Sequence, residues 1–151
     1  MFCFRDKRTA AIDEAGLYLR SIFANLTGLD GSPLPREVFA DPYVIGFLQV
    51  LTTHAVAGVY HAGMPDQAGV VAIMITALNR MGARYGATAR KNLTECGNPA
   101  SRQHARYLEG RHDGSHHVWL GMANDEIART QSYHAFREYV ASHYLQRLPG
   151  S

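Results

Sequence analysis

Residues 42–62, PYVIGFLQVLTTHAVAGVYHA, form a run that is apolar nearly all round when it is placed on a helix. Asp41 precedes the run and can cap the helix, while Pro42 occupies the first helical position, where a missing N–H costs nothing. Gly63 and Pro65 mark its end. A helix with apolar residues on every side is normally enclosed by neighbouring helices. The run therefore predicts a central core helix.

A second helix follows after a turn of a few residues. Asp66 is a predicted cap, and the apolar positions beyond it recur at intervals of three and four, at Val70, Ile73, Met74, Ala77, Leu78, Met81 and Tyr85. Such a short connection makes consecutive helices antiparallel neighbours. We therefore predict a central antiparallel hairpin of residues 42–62 and 67–85.

The length of the first of these helices also suits a lipid bilayer. Five polar residues interrupt it, and each would be costly in lipid: Gln49, Thr52, Thr53, His54 and His61. A core helix is the favoured interpretation, and no membrane partner is expected.

The rest of the chain is also predicted to be helical. A first helix has Asp6 as its cap and Gly28 as its end, and residues 28–40 form a linker rich in glycine and proline. Two short helices are expected within residues 88–109, followed by a loop at residues 110–117, GRHDGSHH. Asn124 is the expected cap of a last helix, and Trp119 and Met122 just before it are expected to dock on the core.

These elements predict an all-α fold, a compact bundle of five to six helices. The length of 151 residues fits a single helical domain spanning residues 1–151, with residues 1–5 and 149–151 as flexible tails. Hydrophobic residues make up 46% of the chain and charged residues only 19%, so apolar surface is expected to remain after folding. That surplus favours self-association.

The cysteines and the N-terminus bear on the cellular compartment. Cys3 and Cys96 have no metal-like spacing, which is typical of reduced thiols. The N-terminus carries charges where a signal peptide has its apolar stretch. The chain is therefore predicted to be cytoplasmic.

Two histidines of the central helix are the main candidates for a binding site. A spacing of seven puts His54 and His61 within about 20° of each other and about 10 Å apart along the axis. The first interpretation is that both rings pack and donate a hydrogen bond within the bundle. Tyr43 and Phe47 share their face, and a small-ligand pocket of these four residues is the alternative. A metal held by His54 and His61 with Met64 is a further one, although two rings so far apart need other ligands. No cofactor is identified.

A basic stretch raises the question of nucleic acid. Between Arg80 and Arg111, seven basic residues face two acidic ones. Residues 88–109 have the outline of a helix-turn-helix, with Arg102, Gln103 and Arg106 as candidate contacts. The match is partial, and a solvated cationic face explains the stretch better, so nucleic acid is not the expected partner.

No enzymatic motif is present. The sequence lacks the GxSxG elbow and the glycine-rich loops that bind dinucleotides or nucleoside triphosphates, and no acid/base pair can be assembled from it. We therefore predict a non-enzymatic interaction or regulatory module that acts through self-association as a homodimer, since the central helix is too apolar to be covered easily within one chain. A protein partner is also possible. A small-molecule or metal-binding bundle is the alternative, and a weak nucleic-acid binder is the second alternative.

Overall fold

The computed structural model describes residues 6–27 and 33–145, and within them every regular element is helical. The six α-helices are α1 (Lys7–Ile22), α2 (Pro42–Tyr60), α3 (Gln67–Met81), α4 (Tyr85–Gly97), α5 (Arg102–Met122) and α6 (Glu126–Val140). A 3-10 helix, Arg36–Ala40, precedes α2, and a π-helical turn, Ala141–Leu145, follows α6. The predicted all-α bundle is confirmed.

Helix α2 begins where the sequence predicts. The Oδ1 atom of Asp41 accepts hydrogen bonds from the backbone N–H groups of Tyr43 (2.8 Å) and Val44 (3.2 Å). The helix is long and apolar enough to cross a bilayer by length and composition, yet 61% of its most apolar window is buried inside the protein. It contacts α1, α3, α4, α5 and the 3-10 helix, so it is the central helix of the core.

The main partner of α2 is α5, and this differs from the predicted central hairpin. Helix α3 does pack beside α2, but α5 makes the most extensive contact with it. The segment GRHDGSHH, which we expected to be a loop, lies inside α5. The predicted second short helix therefore continues through Gly110 and Gly114 as the longest helix of the described residues.

Glycine explains this close packing of α5 on α2. A Cβ atom on Gly46 of α2 would overlap the carbonyl oxygen of Tyr107, and one on Gly110 of α5 would overlap the carbonyl oxygen of Tyr43. The two backbones therefore approach each other at points where no larger residue fits. In a sequence, glycines mid-segment suggest a loop, but here they form the contact face of a helix.

Helix α3 ends earlier than predicted. It starts at the Asp66 cap, whose Oδ1 accepts from the N–H of Gly69 at 2.8 Å, and it stops at Met81 rather than at residue 85. Tyr85 is the first residue of α4, its ring stacks on Phe39 with centroids 4.2 Å apart, and its hydroxyl donates to the carbonyl of Leu34 at 2.6 Å. Tyr85 continues the apolar periodicity of α3 in the sequence only because α3 and α4 face the same core.

Part of the predicted linker, 28–40, is helical. Residues 36–40 form the 3-10 helix, in which Val38 and Phe39 are fully buried. Asp6 caps α1 as predicted, through a bond from the N–H of Arg8 at 3.1 Å, but α1 ends at Ile22 rather than at residue 28. The expected end at Gly28, the expected tails (1–5 and 149–151) and residues 28–32 and 146–148 lie outside the described residues.

Helix α6 is held at both ends by polar contacts. Its cap is Asp125, which accepts from the N–H of Ala128 at 3.1 Å, rather than the predicted Asn124. At the other end, the hydroxyls of Tyr139 (2.8 Å) and Tyr144 (2.5 Å) donate to Oδ2 of Asp41. A single carboxylate thus caps α2 and ties the last helix to it.

Trp119 and Met122 were expected to dock on the core, but they do not. Their side chains are 60% and 69% exposed, and Ile127 at the start of α6 is 77% exposed. We call these three residues the α5–α6 corner. They are among the most exposed large apolar side chains of the described residues.

Candidate functional site

Tyr43 and Phe47, two of the predicted ligand-binding residues, are buried where α2 meets α5 and α6. The hydroxyl of Tyr43 donates to Oδ2 of Asp113 at 2.6 Å, and the ring of Phe47 stacks on Phe136 with centroids 4.2 Å apart. Burial and the neighbouring Asp113 carboxylate raise the pKa of Tyr43, so this phenol stays protonated. Both residues line a hollow of about 330 Å³, where the Tyr43 hydroxyl and the Asp113 carboxylate are already bonded to each other.

His54 and His61 have different surroundings. His54 is half-buried, and its ring meets the ring of Tyr18 edge-on with centroids 5.7 Å apart. His61 follows the last turn of α2 with a φ of 58°, in the left-handed region, and its side chain is exposed. Neither ring is hydrogen-bonded to another residue in the described ranges, so the expected bonds within the bundle are not formed there.

The proposed metal ligands have no additional partner among the described residues. No group of three or more His, Cys, Asp or Glu side chains in that part of the chain is arranged to hold a metal ion. Met64 lies in the α2–α3 loop with 38% of its surface exposed. The metal alternative therefore gains no support from the described residues.

The candidate nucleic-acid contacts are divided between surface and structure. Arg102 is exposed, whereas Gln103 is half-buried and its side-chain oxygen lies 3.9 Å from Sγ of Cys96. The guanidinium of Arg106 lies over the ring of Tyr43, 4.9 Å from its centroid, and pairs with Glu109. Of the three, only Arg102 presents a free charge to a phosphate.

A larger cleft opens between α1, α2, α5 and α6. It has a volume of about 380 Å³, within the range typical of small-molecule sites. Its apolar lining includes Ile22, Leu51, Val118 and Met122. Its polar lining residues are Tyr18, Ser21, His54, His117, Glu126, Arg129, Thr130 and Tyr133. We call it the His54–His117 cleft. His61 is not among its lining residues.

His117 is the functional candidate that the sequence interpretation missed. It is 8% exposed on α5, its Nδ1 lies 3.1 Å from Oγ of Ser132, and its ring is 5.7 Å from that of Phe47. Burial first, and then the positive charges of Arg129 and His116, lower the pKa of His117. The imidazole is therefore neutral at pH 7, and a neutral ring nitrogen can donate or accept a hydrogen bond.

A signal for His117 exists in the sequence. The buried positions of α5 are Tyr107, Gly110, Gly114, His117 and Leu120, which recur at intervals of three and four. The pattern becomes visible only when glycine is counted as a packing residue.

No relative supplies a function for this cleft. Comparisons of the chain with protein-family models, with curated proteins and with solved structures find no match. Its function is therefore inferred from its own residues.

Proposed function

We propose that this protein is a helical bundle that binds a small organic molecule in the His54–His117 cleft. One observation carries the proposal: four helices bring two histidines, two tyrosines and an arginine around one hollow of about 380 Å³ with an apolar side. Ligand pockets have this character, with apolar walls and a few converging polar groups. His54 belongs to the site predicted from the sequence, while His117 takes the place given there to His61.

The cleft is preferred over the hollow beside Tyr43 because the Tyr43, Asp113 and Ser132 side chains of that hollow already have hydrogen-bond partners. In the smaller hollow, the Tyr43 hydroxyl and the Asp113 carboxylate bond to each other, and Ser132 bonds to His117. In the cleft, His54 makes only the ring contact with Tyr18 within the described residues. A ligand there would gain polar contacts without breaking existing ones.

A fragment screen followed by NMR tests this proposal. We expect binders that shift the ring Cε1–H signals of His54 and His117, and we expect His54→Ala to weaken their binding. His112→Ala is the matched control, since His112 is exposed on α5 and does not line the cleft. A diverse library without any binder, or binders that leave both ring signals unmoved, would contradict the proposal.

Self-association is the second candidate function, on a different surface from the one that the sequence suggested. The sequence argument for a homodimer started from the apolar surface of α2, which α1, α3 and α5 cover within one chain. The α5–α6 corner supports a dimer instead, because it exposes a tryptophan, a methionine and an isoleucine. Aromatic residues and methionine are enriched at protein interfaces.

Sedimentation equilibrium tests the second candidate. A dimer at tens of micromolar is expected to dissociate when Trp119 and Ile127 are both replaced by lysine. Leu17→Lys is the control, since Leu17 is 58% exposed on α1. A wild-type chain that is strictly monomeric at that concentration would defeat the dimer.

A further inference from the structure

Three side chains of the His54–His117 cleft have hydrogen-bond donors that no described residue uses: Tyr18, His54 and Arg129. Tyr18 and His54 make no hydrogen bond with another described residue. The guanidinium of Arg129 approaches Oε2 of Glu126 only to 3.9 Å, which is too long for a hydrogen bond. These three side chains come from α1, α2 and α6, so donors face the cleft from three helices.

Arg129 is also the available cation at this place. The nearby Arg137 is already engaged, since its Nη1 donates to the carbonyl of Ile22 at 3.2 Å and its guanidinium lies 4.9 Å from the Tyr133 ring centroid. Glu126 opposes the charge of Arg129, but its side chain is 72% exposed, against 48% for Arg129. The carboxylate of Glu126 is thus the better hydrated of the two and the easier to displace from the cation.

The apolar lining of the cleft comes from α1, α2 and α5. Ile22 and Leu51 are buried residues of α1 and α2, and Val118 and Met122 come from α5. A ligand that satisfies both the unused donors and the apolar lining needs an anionic acceptor and an apolar body.

Resting on the proposed function, we infer that the ligand of the His54–His117 cleft is a small carboxylate with an apolar body, bound through Arg129, Tyr18 and His54. The guanidinium offers two parallel N–H donors to a carboxylate, and no lysine or second arginine lines the cleft among the described residues.

The test uses the full chain and two sets of ligands that differ only in their polar end. Phenylacetate, phenylacetamide and phenethylamine share one body, and hexanoate, hexanamide and hexylamine share another. NMR titrations at neutral pH, followed at the ring signals of His54, are expected to show each carboxylate binding about tenfold tighter than its amide, with the amine weakest.

Variants assign the preference to the named side chains. Arg129→Gln is expected to abolish the difference between carboxylate and amide, whereas Glu126→Gln is expected to enlarge it by removing the competing charge. Arg90→Gln, an exposed arginine of α4, is the control and leaves the titrations unchanged.

Two outcomes would overturn the inference in different ways. The first outcome is that amides or amines shift the His54 ring signals and bind as tightly as the carboxylates. This result would refute the ligand class but would still support a small-molecule site. No binding by any of the six compounds would also refute the class, and the fragment screen would then decide whether the cleft binds any small molecule at all.

Discussion

At the scale of single residues, His117 shows how burial sets the chemistry of a side chain. Its ring is enclosed between Phe47 and Ser132, beside the positive charge of Arg129. A protonated His117 ring would lose hydration there and lie beside a like charge, so the neutral form of the ring is favoured. The ring therefore stays a neutral hydrogen-bonding group in the cleft at pH 7.

This lowered pKa makes stability depend on pH. The pKa of His117 in the folded chain lies below its unfolded value of about 6.5, so the unfolded chain binds the proton first. The free energy of unfolding is expected to fall as pH drops from about 6.5 toward the folded pKa. Urea unfolding above and below that pH should show a smaller fall for His117→Gln than for the wild type, whereas His112→Gln should match the wild type. If the free energy of unfolding fell equally for the wild type and both variants, His117 would not be the source of the pH dependence.

Asp41 is a second residue whose side chain connects distant parts of the fold. Its carboxylate receives two backbone N–H groups of α2 and two tyrosine hydroxyls, of Tyr139 and Tyr144. Asp41→Ala is expected to cost the helix cap, about 0.5–2 kcal/mol, and in addition about 1 kcal/mol for each hydroxyl that loses its acceptor.

Asp66→Ala is the matched control, because Asp66 is exposed and only caps α3. Chemical denaturation should show Asp41→Ala to be the more destabilising by about 2 kcal/mol. Equal losses for both variants would mean that the tyrosine bonds contribute nothing to stability.

At the scale of elements, the pairing of α2 with α5 depends on the absence of side chains. Gly46 and Gly110 lie at opposite sides of the contact, and each accommodates a backbone carbonyl of the other helix. Close approach lets the flanking side chains interlock, including the bond from Tyr43 to Asp113. This close packing also determines the geometry of the cleft, because His117 lies on α5 and lines the cleft beside α2.

Two alanine substitutions in the same helix separate this contact from helix propensity. Gly46→Ala is expected to destabilise the protein by about 1–3 kcal/mol, because its Cβ would overlap the Tyr107 carbonyl and force the helices apart. Gly58→Ala should instead stabilise it by about 0.5–1 kcal/mol, since nothing lies within 4 Å of the added methyl. Urea midpoints measure both, and a stabilising Gly46→Ala would refute the close contact.

At the scale of the whole molecule, the last helix is joined to the core rather than appended to it. Phe136 and Val140 of α6 are buried in the main hydrophobic cluster together with residues of α1, α2 and α3. The tyrosine bonds to Asp41 add polar contacts. This arrangement supports the predicted single domain, which stays a prediction, as does the cytoplasmic location.

One cooperative unfolding transition is therefore expected for the full chain. Circular dichroism follows all helices, whereas the fluorescence of Trp119, the single tryptophan, reports on the end of α5. The two urea curves should coincide. An earlier fluorescence transition would show that the α5–α6 corner unfolds independently of the core.

The sequence alone determined the features that depend on neighbouring residues. The helical class, the caps at Asp6, Asp41 and Asp66, and the buried stripe of α3 follow from the spacing of apolar residues and from short-range hydrogen bonds. His54 as a candidate also came from the sequence. These features need no knowledge of which helices meet.

Only the tertiary structure decided which helix lies against α2 and which histidine joins His54. The glycines of α5 suggest a loop when they are considered locally, and they favour a helix only because the backbone of α2 fills the space that they leave. His61 lies two turns from His54, in the left-handed turn that ends α2, and it does not line the cleft. His117, 63 residues after His54 in the sequence, lines the cleft because α5 packs on α2. Contacts between distant segments depend on complementary surfaces, which are formed only when the chain has folded.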